Sequence, residues 1–444
     1  MGTRRYGLLG IGFGPSHLSL SAVCDSTRPS SVRTRVHCLE SRPEFAWHPD
    51  MLLDGARMQV AFLKDLVTPH DPTSPYTFTN YLVRKGRLEQ FLNLGTLHPT
   101  RREYADYFRW VAAQLSPYVS YNCTAQAIRP VLGQDGSVGH LEVDLLDPAG
   151  RPRTVSAEHL SLAPGGRPAI PPGVAPAALE SGAVWHSSRF LRGIEPYRGR
   201  GTALPYRFLV VGAGQSAAEI FQYLVAEFPA AQVTLAHRGF ALMPANSSPL
   251  ANEIFNPESV DLFHGAGPEQ RRAILDQLRI TNYGAVDEED IQAIARLLYD
   301  QRVHGGLRLR LSRFTELLGA SVDDTLVCVA ARDLLTGHTA HDRYDGVVLA
   351  TGYDFREARD LLTDLDPHLV READGTPLVR RDYSVQTTDG FRPKVFLHGA
   401  AEHSHGLTST LLSLLAHRAV DILDATFGAG ALTPVPAPLE GADA

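Results

Sequence analysis

Cysteine is scarce and scattered: Cys24, Cys38, Cys123 and Cys328 are the four in 444 residues, with no C-x-x-C pair and no metal-ligand spacing. This excludes a disulfide framework, a cysteine metal site and the redox-active dithiol of a flavin disulfide reductase, and it fits a reducing compartment. Long apolar runs are lacking too. No stretch approaches the roughly 18 uncharged apolar residues of a membrane span. The Tyr6–Ile11 run behind Arg4 and Arg5 is too short for a secretory signal and has no small-residue cleavage site. Tyr6 also stands where N-myristoylation needs Ser or Thr. The expectation is a soluble, cytoplasmic chain with no membrane partner. Excess charge of one sign is missing as well: 42 Lys plus Arg against 49 Asp plus Glu give a net charge of −7. No basic footprint for nucleic acid follows from that balance. The 44% hydrophobic content excludes a disordered or fibrous chain. The length suits two or three domains of roughly 150 residues each.

Glycine is placed where it carries meaning. Residues 10–20 read GIGFGPSHLSL, after a short apolar strand and before a helix carrying Leu18, Leu20 and Val23. Gly10, Gly12 and Gly14 permit a sharp turn and close approach of the backbone to a pyrophosphate. Pro15 suits the first helical turn, where no amide donor is needed. The helix N-terminus presents free N–H groups and partial positive charge to phosphates. A second strand near Arg35–Leu39 ends in Glu40, placed to accept hydrogen bonds from a ribose. The unit recurs at residues 208–220, FLVVGAGQSAAEI, with Gly212, Gly214 and Ala217 at the key positions. Its own second strand, Gln232–Ala236, ends in His237 and Arg238 rather than an acid. A cation there suits the extra 2′-phosphate of NADP.

Two cradles imply two dinucleotides, FAD in the first and NADPH in the second. Alternating strand and helix patterns predict an α/β fold with parallel sheets. The segments Ala163-Pro-Gly-Gly166 and Leu349-Ala-Thr-Gly-Tyr353 read as crossings between two nucleotide domains, the second inserted in the first. We therefore expect residues 1–170 and 345–444 to form the FAD domain with a C-terminal substrate-binding region, and 171–344 the NADPH domain. The Pro- and Ala-rich tail after Ala429 is expected to be poorly ordered.

Ordered motifs run through nearly the whole chain: GIGFGPSHLSL (10–20), FAWHPDMLL (45–53), MQVAFLKDLVT (58–68), DPTSPYTFTNYL (71–82), PTRREYADYFRW (99–110), GAGQSAAE (212–219), NEIFNP (252–257), TNYG (281–284), ATGY (350–353) and HGLTSTLLSLLA (405–416). Together they resemble the class B flavin-dependent N-hydroxylating monooxygenases, the L-ornithine and L-lysine N-monooxygenases of siderophore pathways. The resemblance implies that NADPH reduces FAD and that a hydroperoxyflavin then oxygenates a side-chain amine, L-ornithine first, with L-lysine or another primary amine as alternatives. The flavin would carry the difficult chemistry, which accounts for the lack of a Ser-His-Asp or Cys-His arrangement. A non-catalytic nucleotide-binding scaffold is the alternative outside enzymes.

By the same resemblance the Glu40–His48 segment, including Trp47 and His48, would line the FAD site with Gln59, and Met58 would lie close to the flavin. Thr410, Leu411 and Leu412 would touch the flavin. Gln215, Ser216 and Arg238 would hold NADPH, and Asn282 would lie between nicotinamide and substrate. Lys64, Asn252 and Ser413 match the substrate contacts. A substrate carboxylate needs a cation, and Lys64 supplies one in an otherwise uncharged stretch from Met58. Read without the resemblance, Lys64 is more readily a surface lysine paired locally with Asp65. The amine must be neutral to react although its reference pKa is about 10.4; Asn252, Asn282 and Ser413 offer neutral hydrogen bonds rather than a carboxylate that would hold the proton on. Two segments depart from the family pattern: Ala245–Ala251 replaces an acidic pair and an aromatic, and Ser409 stands where Asp is usual. A homodimer or homotetramer is expected by analogy alone.

Overall fold

The computed structural model describes residues 5–278, 281, 283–355, 360–373 and 375–429. Asn282 and the tail from residue 430 lie outside the described residues. The first lobe begins with β1 (Arg5–Ile11), β2 (Val36–Leu39), β3 (Val119–Ser120), β4 (Thr124–Leu132), β5 (Val138–Leu146) and β6 (Pro152–Leu162). The chain continues through β7 (Arg167–Pro168), β8 (Val184–His186), β9 (Arg207–Val211), β10 (Gln232–Ala236), β11 (Met243–Pro244) and β12 (Ala285–Val286). It ends with β13 (Leu309–Ser312), β14 (Thr315–Asp323), β15 (Leu326–Asp333), β16 (Thr339–Tyr344), β17 (Gly346–Leu349), β18 (Tyr353–Asp354) and β19 (Val395–Leu397).

Gly7–Ile11 of β1 and every residue of β2 and β17 are buried, because a parallel strand covered by helices is buried on both faces. In the first sheet the order is β3-β2-β1-β6-β5-β4, with β19 also paired to β6. The C-terminal half of β6 lies parallel to β1 and β19, while its N-terminal half pairs antiparallel with β5. The second sheet is entirely parallel, β13-β10-β9-β17-β8. Strands β14, β15 and β16 form a separate antiparallel sheet. The expected α/β class with two parallel, glycine-turn units is the architecture found. No helix among the described residues is long and apolar enough to cross a membrane.

The two crossings between lobes meet. Strand β7 pairs antiparallel with β18, Tyr353 opposite Pro168 and Asp354 opposite Arg167. The Ala169 amide donates to the Gly352 carbonyl at 3.0 Å beside them. The return crossing comes later than position 345, because β17 fills the gap between β9 and β8 with four buried residues and belongs to the second sheet. The lobes also share a core. Met51, Leu53 and Ala56 lie in the first lobe's sequence, yet they pack with Phe190, Phe221 and Leu224 of the second. Conversely, the helix Pro257–Gly265 leaves the second sheet and packs on the C-terminal segment, where Phe263 sits against Gly406.

The loop from Met58 to Thr68 has little regular structure; backbone bonds to Leu97 and Pro99 hold its start and a buried carboxylate holds its end. Asp65 accepts hydrogen bonds from the Val67 amide (3.0 Å), the Thr68 amide (2.7 Å), the Thr68 hydroxyl (2.8 Å) and the Phe78 amide (2.6 Å). Removing it would strand buried donors, each costing about 1–3 kcal/mol. Asp65→Ala is therefore expected to lower unfolding stability by at least about 3 kcal/mol in a urea titration. An unchanged midpoint would mean that the loop is anchored by something else.

Candidate active site

Each cradle rests on one contact that only glycine allows. At Gly12 the backbone has φ +88°, and a Cβ there would lie 2.3 Å from the Ala163 carbonyl oxygen. At Gly212 φ is +149°, and a Cβ would lie 2.2 Å from the carbonyl oxygen of Ala350. The turns can therefore press flat against the neighbouring strand end, which aims the following helix back at the sheet's C-terminal edge. Gly14 caps the helix Pro15–Thr27 and Gly214 caps Gln215–Glu227; neither N-terminus receives a side-chain cap. A Cβ on Gly14 would meet nothing within 4 Å, and one on Gly214 only Gly284 at 3.8 Å. Uncapped helix amides above open space are what a pyrophosphate requires, so both cradles fit a dinucleotide.

Around the first cradle, Glu40 ends β2 and accepts the Phe13 amide at 2.7 Å and the Arg42 amide at 2.8 Å. Its carboxylate is thereby fixed beside the glycine turn. The ring of His48 lies near Trp47 and Tyr353, and His48 holds a left-handed backbone at φ 43°. That conformation is unusual outside glycine and costs of order 1 kcal/mol. Met58 is buried, and Gln59 is exposed and donates to Asp287 at 3.0 Å.

In the second cradle, Gln215 and Ser216 open the helix and Arg238 follows β10 as an exposed side chain. Arg313 follows β13, the parallel neighbour of β10, and lies over the Phe240 ring at 5.0 Å. The Gln215 side chain is already engaged: it donates to Glu219 (2.9 Å) and Asp290 (2.5 Å) and accepts the Asp287 amide (2.9 Å).

Between the cradles three segments converge. The TNYG segment puts Gly284 over Gly214, while the Tyr283 hydroxyl bonds to Glu402 and lies 3.1 Å from the Thr410 hydroxyl. The turn Glu253–Phe255, directly after Asn252, packs on the turn Leu407–Thr410. Leu411 and Leu412 are half-buried and Ser413 is buried just beyond. Asn252 is half-buried and its amide donates to the Ser247 carbonyl at 3.3 Å. Lys64 is half-buried, and among the described residues nothing bonds to its ammonium. The pairing with Asp65 does not occur, because every bond of that carboxylate runs to the loop and to Phe78.

The departing segments have local roles. Ser248 caps the short helix Pro249–Asn252, its hydroxyl accepting the Ala251 amide at 3.3 Å, and Asn246 accepts the Ser248 amide. The Ser409 hydroxyl accepts the Ala401 amide at 2.8 Å, and its carbonyl accepts from the buried Arg418.

The sequence reading missed Tyr283, Glu402 and His17. Tyr283 and His17 both stood inside quoted motifs, TNYG and GIGFGPSHLSL, without being singled out. His17 lies in the first helical turn, wholly buried, with Nδ1 2.6 Å from the Gly12 carbonyl and Nε2 2.8 Å from the Ser161 hydroxyl. A carbonyl only accepts, so Nδ1 carries the proton and the serine hydroxyl donates to Nε2. The ring therefore ties the glycine turn to β6.

A chain with two glycine-turn cradles, one per sheet, each opening an uncapped helix, is a protein of the two-dinucleotide-domain class. Sequence comparison narrows this: the profile of the L-lysine 6-monooxygenase/L-ornithine 5-monooxygenase family matches residues 4–355. The L-ornithine N(5)-monooxygenase of Burkholderia cepacia is 42% identical over 407 residues, covering 90% of each chain. The ornithine N-hydroxylase of Kutzneria sp. 744 superposes with a TM-score of 0.89 at 36% identity, covering 95% of this chain and 99% of that one. The L-lysine 6-monooxygenase of Pseudomonas syringae gives 0.82 at 32% identity, with 95% and 99% covered. The chain belongs to the L-lysine 6-monooxygenase/L-ornithine 5-monooxygenase family.

Burial lowers the His17 pKa from 6.5 to about 4, with the Arg418 charge adding to the effect and the Gly12 hydrogen bond opposing it. The unfolded chain then takes up the proton first, so this contribution is complete above pH 6.5 and is lost as the pH falls toward 4. About 3 kcal/mol of stability should disappear over that window on account of His17. Urea titrations at a series of pH values should show this slope, and His17→Gln should reduce it by this share while His48 and His398, also pushed down by burial, keep the remainder. A variant retaining the wild-type slope would assign the effect to other groups.

Proposed function

We propose that the protein is an FAD- and NADPH-dependent monooxygenase that N-hydroxylates the side-chain amine of an amino acid, L-ornithine before L-lysine. The observation that carries the amino-acid reading is Lys64, a cation in an uncharged stretch with nothing bonded to its ammonium among the described residues. A free ammonium is suited to a substrate carboxylate, and the neighbouring acid is committed elsewhere. Family relatives carry names that support ornithine, including the Kutzneria enzyme, described with reduced FAD, NADP+ and L-ornithine. The lysine enzyme of P. syringae keeps the longer substrate in view. The two amino acids differ by one methylene, which a hydrophobic pocket discriminates by only about 1–3 kcal/mol.

Residues 1–170 with the C-terminal region would hold FAD, and the inserted lobe, now including β17, would hold NADPH. Gly10, Gly12, Gly14 and Pro15 present the first helix to the FAD pyrophosphate, with Glu40 toward the ribose. Trp47, His48, Met58, Gln59 and Thr410–Leu412 border the flavin. Gly212, Gly214, Gln215 and Ser216 form the second phosphate cradle, and Arg238 meets the 2′-phosphate. Bound FAD, once reduced by NADPH, supplies the activation of dioxygen that transfers one oxygen atom to nitrogen. The chain's own part is to bind, orient and keep the amine uncharged. Lys64 anchors the carboxylate end. Asn252 and Ser413 offer the amine neutral hydrogen bonds without a negative charge that would stabilise the ammonium, a role the family resemblance also gives Asn282. Glu402, the carboxylate beside Thr410, is engaged by Tyr283.

Losing a charge-assisted hydrogen bond costs about 1.5–3 kcal/mol, so Lys64→Ala should raise the amino-acid KM roughly 10- to 100-fold while FAD content holds. Collapse of flavin occupancy with an unmoved KM would reassign Lys64. Arg238→Ala should weaken NADPH far more than NADH in paired kinetic titrations; equal losses would remove the 2′-phosphate role. The decisive assay compares ornithine, lysine and putrescine and scores hydroxylated product against NADPH consumed. NADPH oxidation without hydroxylated amine for any of them would defeat the reading.

A further inference from the structure

We infer that Arg101 and Glu219 are a positioning pair that locks the second cradle against the first lobe and so sets the approach of the nicotinamide to the flavin. The inference rests on the function proposed above. Arg101 opens the helix Arg101–Gln114 of the first lobe, its own amide donating to the Ala56 carbonyl at 2.8 Å. Glu219 lies one turn into the helix Gln215–Glu227, immediately beyond the glycine turn. The two meet as a fork on a fork: Nη1 donates to Oε2 and Nη2 to Oε1, each at 2.8 Å, and Nη1 also reaches the Met51 carbonyl at 3.2 Å. Their side chains are only 14% and 6% exposed.

The pair is one end of a closed chain of hydrogen bonds. Glu219 accepts from the Gln215 amide (2.9 Å), the Gln215 carbonyl accepts the Asp287 amide (2.9 Å), and the Asp287 carboxylate accepts from Gln59 (3.0 Å). The chain starts on Arg101 and ends on Gln59, both in the first lobe, and passes through the first turn of the second cradle. Asp290 braces it from the side, taking the other Gln215 proton (2.5 Å) and one from Gln222 (2.7 Å). Both donors and the carbonyl of the Gln215 side chain are thus consumed in holding the junction.

Cohesion alone does not explain this design. Met51, Leu53 and Ala56 already seat the second lobe by apolar packing, and a buried ion pair adds little net stability over an apolar substitute. What a bidentate pair adds is direction. It fixes the rotation of the Gln215–Glu227 helix about the apolar seat, and a displacement of about 1 Å at a reacting pair can cost on the order of 100-fold in rate.

The test uses Arg101→Lys, which keeps the charge and loses the fork, and Glu219→Asp, which shortens the reach. Anaerobic stopped-flow should show flavin reduction by NADPH slowed about tenfold or more in each, with FAD content and amino-acid KM near wild type. In cofactor-free protein, deuterium exchange at the Asp287 amide should accelerate, because its acceptor Gln215 is released. The double exchange Arg101→Glu with Glu219→Arg should recover part of the lost reduction rate. Reduction at the wild-type rate in Arg101→Lys and Glu219→Asp, even with lowered thermal stability, would overturn the inference and leave a merely cohesive contact. Wild-type protein that binds FAD but is not reduced by NADPH would instead overturn the proposed function.

Discussion

Everything in this molecule depends on a backbone turn passing too close to a neighbouring strand end for any side chain. Gly12 against the Ala163 carbonyl and Gly212 against the Ala350 carbonyl are the same contact made twice. In each case the residue supplying the carbonyl also leads into a crossing between lobes: Ala163 directly follows β6 on the way to β7, and Ala350 directly follows β17 on the way to β18. The contact that aims a helix at a phosphate therefore also fixes where the chain leaves its lobe. Because β7 and β18 then pair, the two cradles are tied to one short ribbon. An error in either turn would propagate to the other site.

Polar groups at the cleft divide into those that are spent and those left free. Asp65, Gln215, Glu219 and Glu402 are buried or half-buried and all engaged within the protein. Lys64 is the contrast. A lysine beside an aspartate would ordinarily be neutralised locally, but the aspartate's oxygens are turned inward onto backbone amides. The same four bonds hold the loop and leave the ammonium available, so structural anchoring and recognition are separated between adjacent residues.

The sequence disclosed what depends on local backbone chemistry. Gly12, Gly212, Glu40 and Arg238 could be placed because strand, turn and helix follow each other within a few dozen residues. The β17 assignment could not, since Gly346–Leu349 is a short apolar strand that would suit either sheet; only its pairing with β9 and β8 decides. Arg101 and Glu219 lie 118 residues apart in different lobes, and nothing in either motif points to the other. Ser248 and Ser409, noted only as departures, serve as a helix cap and as a partner for the Ala401 amide.

The wall behind the first cradle shows how burial sets its charge. His17, His398 and Arg418 are all within 1% of full burial, and the two imidazoles meet edge to face at 5.2 Å. Desolvation pushes both histidines down, and the Arg418 guanidinium pushes the same way. Arg418 itself donates to the carbonyls of Thr408 and Ser409 and lies over the Tyr383 ring. At neutral pH the two histidines are therefore held neutral, and Arg418, itself pushed down by burial, is the cation of the group. It is held by the turn that leads into Thr410 and Leu411. A histidine that titrated near neutrality there would alter the potential along this segment with pH; burial beside the Arg418 guanidinium pushes both imidazoles away from that range.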